Sequence, residues 1–196
     1  MSKIDELYEF MLSNMCIRYK QTQKSLEDIM DRVAYHESKG IADCKQLGGG
    51  PGRGLFQYET GANQGGMTAR NRLASWYTGQ GVDTPNWLNQ EDMENSGFDA
   101  SLLDEQQQRM LFLADKRYDE TASLRPDDIQ DAGKWWAKHH WKGGEEGSDI
   151  YNKRVSSFNE DLMMDDVVKE QGADAFGSKF GTGEGKIANF FKGVFE

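Results

Sequence analysis

The chain has 196 residues, 37% of them hydrophobic, and 33 acidic against 23 basic side chains give a formal net charge of −10. That length and apolar share suit one compact domain with an appendage. The acidity argues against nucleic acid or anionic membranes as partners, because both attract basic patches and no Lys/Arg cluster interrupts the pattern. Cys16 and Cys44 stand at no metal-ligand spacing and form no disulfide framework, which reads as two thiols in a reducing cell. His36, His139 and His140 lack Cys, Asp or Glu partners at ligand spacing, so neither a metal nor a cofactor is expected. The opening MSKIDELYEF is acidic where a signal peptide needs an apolar run. No apolar stretch approaches the length of a transmembrane segment. A protein made in a cytoplasm, and kept or packaged there, is expected.

Taken in chain order, the first expected helix runs from Lys3 to Tyr19, with Ile4, Leu7, Tyr8, Met11, Leu12 and Met15 on one stripe. A second is expected to start at Ser25, where Ser25 and Asp28 resemble a capping box. It would bury Leu26, Ile29, Met30, Val33 and Ala34 and deliver Glu37 at its C-terminal end. Residues 40–66 lose all periodicity, and Gly48-Gly49-Gly50-Pro51-Gly52 forbids a helix. Gly54–Tyr58 is apolar and reads as a strand edge or a buried loop. Further helices are expected over Asp104–Thr121, from Pro126 to about His140, and over Ser148–Leu162. Trp136 is assigned to the core and Trp141 to a cleft. Strand signals are nearly absent. The expected fold is all-α with one glycine-rich active loop, in a domain of residues 1–162. Residues 163–196 form a glycine-rich tail, in which Ile187, Phe190, Phe191, Val194 and Phe195 make a short amphipathic stripe. That stripe either anchors the chain to another subunit or packs back on its own domain.

The chemistry gathers in two segments, Tyr35-His36-Glu37-Ser38 and Gly52-Arg53-Gly54-Leu55-Phe56-Gln57-Tyr58. An acid that ends an apolar helix is placed for partial burial, which raises its pKa and keeps it protonated for general acid work. Glu37-Ser38 followed by Gly54-Leu55-Phe56-Gln57 resembles the Glu-Ser and Gly-Leu-Met-Gln signature of soluble lytic transglycosylases, which are related to goose-type lysozyme. Phe56 stands where the family has Met. The resemblance covers about residues 25–62 and implies a lysozyme-like fold. It makes Glu37 the catalytic acid/base, puts Ser38 beside it, and has Gln57 line the cleft and bind the sugar; Tyr58 follows in the same motif. The family's third motif, an Ala-Tyr-Asn-Ala-Gly-like run, has only a distant counterpart in Ala137–Gly144, without the Asn. There His140, as a hydrogen-bond partner, and Trp141, as a sugar-stacking surface, are the candidate replacements.

The function this implies is cleavage of the glycan strand of bacterial peptidoglycan, as a lytic transglycosylase or a muramidase. An inverting hydrolase needs a second carboxylate about 6.5–9.5 Å from the first. Asp43 and Glu59 stand in no motif, so the single-acid route is expected. Acidity and the tail point to a bacteriophage virion as carrier, with other virion subunits as partners and the cell wall as the place of action during genome entry. The alternative from another class is a non-catalytic structural virion protein with a degenerate lysozyme-like domain.

Overall fold

A computed structural model describes residues 3–19, 23–117 and 131–161. The chain divides into two units, Met1–Asn159 and Glu160–Glu196. The glycine-rich tail with its apolar stripe lies outside the described residues, as do Tyr118–Thr121 and Pro126 of two expected helices.

Helix α1 (Lys3–Tyr19) buries Tyr8, Met11, Leu12 and Met15, as the apolar spacing requires. Helix α2 (Gln23–Ser38) buries Leu26, Ile29, Met30, Val33 and Ala34. It is already helical before Ser25, so Ser25 is not the cap the sequence suggested. A 3-10 turn (Leu47–Gly49) leads into a hairpin of β1 (Gly52–Arg53) and β2 (Tyr58–Glu59), antiparallel with Gly52 opposite Glu59 and Arg53 opposite Tyr58. Between them Leu55 and Phe56 are buried in turn conformation, so this stretch is a buried loop that closes a minimal hairpin.

Helix α3 (Gly65–Gly79) was not foreseen from the sequence. Its inward residues Ala69, Leu73, Trp76 and Tyr77 keep helical spacing, but two glycines open it and polar residues fill the rest. A short helix α4 (Met93–Ser96) precedes α5 (Glu105–Arg117). Helix α5 is the centre of the unit: every residue from Met110 to Lys116 is buried, as expected of a helix packed on all sides. It packs against α1 and α3, α1 packs on α2, and α3 contacts β2. Helix α6 (Ala132–Trp136) continues into a π turn over Ala137–Trp141, and α7 covers 149–161. Among the described residues the fold is thus mostly helical, and no helix is long and apolar enough to cross a membrane.

Candidate active site

Glu37 sits in the last turn of α2, and its side chain is only 18% exposed. It is therefore not the solvated carboxylate usual at a helix end. Its Oε1 accepts a 2.7 Å hydrogen bond from the Trp136 indole. That indole is held rigidly: it stacks on Phe158 at 5.2 Å and on Trp141 at 6.0 Å, and the His36 ring meets it edge-on at 4.6 Å. Burial pushes the Glu37 carboxyl above its ordinary range, against the pull of the Trp136 donor and the more distant charges of Arg154 and Lys116.

Glu37 borders a cavity of about 400 Å³, whose wall includes Gln57, Tyr58, His140 and Trp141. The structure thereby brings together five of the six residues singled out from the sequence. The sixth, Ser38, is corrected: it is buried, lines no part of the cavity, and its hydroxyl donates back to Ala34 O at 2.9 Å. A serine near a helix end that bonds the carbonyl four residues back caps its own helix and has no donor left for a sugar.

Gly54 has φ +75, and a Cβ there would collide with the Gln108 amide, so only glycine fits. Gln108, on α5, ties three segments together. Its Oε1 accepts from Leu55 N at 2.6 Å, and its Nε2 donates to Ala42 O at 2.8 Å and Leu103 O at 2.9 Å. On this anchored loop Gln57 takes a left-handed φ of 48, a strained choice for a residue with a side chain. Its Nε2 donates to Gly54 O at 2.9 Å. That leaves the amide oxygen as the acceptor it can offer the cavity.

The π turn presents His140 and Trp141 to the same cavity. His140 Nε2 lies 2.8 Å from Phe56 O and 3.7 Å from Glu37 Oε1. Burial, then the Lys116 charge, lowers its pKa to about 3. The ring is therefore neutral, and since a carbonyl only accepts, Nε2 carries the proton and donates to Phe56. His140 thus fastens the Gln57 loop to the π turn and forms no ion pair with Glu37.

A charge network with no signal in the sequence forms part of the cavity wall, through Tyr58, Arg72, Asp115 and Lys116. Asp115 Oδ1 accepts from Arg72 Nη1 at 2.6 Å, and Oδ2 accepts from Lys116 Nζ at 2.8 Å and from the Tyr58 hydroxyl at 3.2 Å. Lys116 Nζ also donates to His139 O at 2.8 Å. Burial pushes Asp115 up, but the Lys116 ammonium and Arg72 guanidinium overcome it and hold the carboxyl below its ordinary range. Tyr58 is raised well above its usual value by burial and by Asp115, and stays a phenol. Its hydroxyl is committed to Asp115, so its contribution to the cavity is its ring. Of the two further carboxylates weighed from the sequence, Glu59 lines the cavity and Asp43 does not.

No family model, no curated protein and no solved structure matches this chain.

Proposed function

We propose that the protein cleaves the glycan strand of peptidoglycan as a lytic transglycosylase, or as a muramidase of the same lysozyme-like superfamily, with Glu37 as general acid/base. The observation that carries this reading is a buried carboxyl of raised pKa, aimed by the Trp136 indole, at the edge of a cavity with polar walls. Burial keeps a population of Glu37 protonated closer to neutrality, which a general acid requires. Its proton goes to the bridging oxygen as the bond to the sugar's anomeric carbon breaks. The resulting carboxylate then takes the proton of the muramyl residue's own primary hydroxyl, whose oxygen closes onto that carbon. An anhydro-sugar forms, no water is consumed, and Glu37 ends protonated again. Gln57 orients the sugar, and the neutral His140 holds the Gln57 loop without drawing the proton from Glu37.

Glu59 favours a second route at the same site. As a carboxylate on the wall of the same cavity, it is the candidate base to activate water for hydrolysis. Mass spectrometry of purified peptidoglycan after digestion tests both. Fragments with anhydro-muramyl ends support the transglycosylase, fragments heavier by one water per cut support the muramidase with Glu59 as base, and intact strands refute the glycan reading. The carrier expected from the sequence, a bacteriophage virion, is part of the same proposal and is supported by the chain's acidity and its glycine-rich C-terminal segment.

A further inference from the structure

Arg72 lies on α3 one turn beyond Thr68, and both line the cavity that Glu37 borders. Its guanidinium is fixed from one side: Nη1 donates to Asp115 O at 3.0 Å and to Asp115 Oδ1 at 2.6 Å. Asp115 is itself held by Tyr58 and Lys116, so the anchor cannot swing. Both hydrogens of Nη1 are thereby used. Nε and Nη2 carry three more N–H groups, and none of these has a partner among the described residues. The side chain is 29% exposed and lines the cavity, and the partnerless edge is what the guanidinium can offer to whatever fills it. A preset guanidinium edge matches the two oxygens of a carboxylate, and orienting it in advance removes much of the ordering cost of binding. In a chain of net charge −10 such an edge is no general feature of the surface.

We propose that Arg72 is a specificity residue that receives a carboxylate carried by the muramyl residue of the glycan. The inference rests on the glycan reading above. A strand of N-acetylglucosamine alone has no carboxylate. A muramyl residue has one on its lactyl ether when the stem peptide is absent, and one on the stem peptide's acidic residue when it is present. Recognition of either makes the site prefer peptidoglycan to chitin-type strands.

The test is binding measured by calorimetry in an E37Q background, which permits binding without cleavage. The probes are chitotetraose, a muramyl-containing tetrasaccharide with free lactyl carboxylates, and the same tetrasaccharide bearing stem peptides. At least one carboxylate-bearing probe is expected to bind about tenfold tighter than chitotetraose, as one charge-assisted contact supplies. Which probe it is identifies the carboxylate. Adding R72Q is expected to bring the ratio of affinities close to one, and salt is expected to shrink the ratio in the R72 parent only. R72K keeps a cation beside Asp115 but loses the two-pronged edge, so it must lose the preference even if R72Q fails to fold. A ratio near one before Arg72 is changed, or a preference that survives R72K, overturns the inference. If wild-type protein releases fragments from peptidoglycan while the preference survives, this inference alone falls. If it neither binds nor cuts any glycan, the glycan reading falls and takes the inference with it.

Discussion

The Trp136 indole and the Glu37 carboxyl, 99 residues apart in the chain, meet in a 2.7 Å hydrogen bond. The bond sets two effects against each other. Burial disfavours the carboxylate, and a donor aimed at its oxygen favours it; burial wins, and the pKa stays above the ordinary value. The same bond fixes the direction in which the carboxyl faces, because the indole is itself clamped by His36, Trp141 and Phe158.

Trp136→Phe keeps an aromatic ring among those neighbours and removes the donor. Burial is then opposed only by the neighbouring positive charges, so the Glu37 pKa rises further. A general acid works in its protonated form, so activity falls as pH rises through that pKa. The descending limb of the pH–rate profile should therefore lie at higher pH in the variant. A limb that stays in place or moves to lower pH would show that the indole does not tune the acid.

Glu37→Gln should lower wall cleavage by at least roughly 10²–10⁴-fold, the usual contribution of general acid catalysis. Its stability should move the other way. A buried acid with a raised pKa loses stability as pH climbs past its unfolded value, about 4.3 for Glu. The neutral amide avoids that loss, so at pH 7 the variant should melt no lower than wild type. Retained cleavage would assign the acid role elsewhere.

Asp115 has the opposite sign. Its pKa is depressed in the folded state, so its contribution to stability is present above the unfolded value of about 3.9 and is lost as pH falls through the folded one. Urea denaturation from pH 7 down to 3 should show a steeper loss for wild type than for Asp115→Asn. Asp115→Ala should cost about 3–5 kcal/mol at pH 7, because it removes a 2.8 Å ion pair from a lysine that is 2% exposed. An Asp115→Ala protein as stable as wild type would mean the network is not held together by its charges.

Gln57→Ala should reduce turnover by about tenfold, about 1.4 kcal/mol of positioning, and less than the loss of the acid. Gln57→Gly separates strain from chemistry. Glycine adopts a φ of 48 without strain, so this variant should match or exceed wild-type stability while losing the same activity. Full activity in the folded glycine variant would remove the amide from the site.

Much of this was legible in the sequence, and the reasons for the gaps are physical. The stripe from Leu26 to Ala34 is strictly periodic, and it put Glu37 at the right end of the right helix. Gly54 and Gln57 were marked by motif, and the collision at Gly54 with Gln108 shows why the glycine is needed. Helix α3 is hidden in the sequence because Gly65-Gly66 continue the glycine-rich loop, although Ala69, Leu73, Trp76 and Tyr77 carry the period. With α3 went Arg72. Asp115 and Lys116 could not have been placed inside, since adjacent charged residues are almost never both buried unless paired, and the partner Arg72 lies 43 residues away. The sequence assigns Trp136 to the core, which holds for its ring and says nothing of its N–H. Ser38 was carried into the site by a motif, whereas its hydroxyl serves its own helix.

The π turn at Ala137–Trp141 closes when Lys142 N bonds Ala137 O at 2.9 Å, five residues back. It therefore holds one residue more than an α-helical turn would, and that surplus sets the phase at which the helix ends. Removing one exposed residue, Lys138, would let the helix wind regularly through the segment. Each residue advances an α-helix by about 100°, so His140 and Trp141 would rotate away from the cavity together. Phe56 O would lose its donor and the Trp136 indole its Trp141 stacking partner, although no residue of the site had been substituted. A single codon's deletion would yield a more regular helix and a dismantled candidate site.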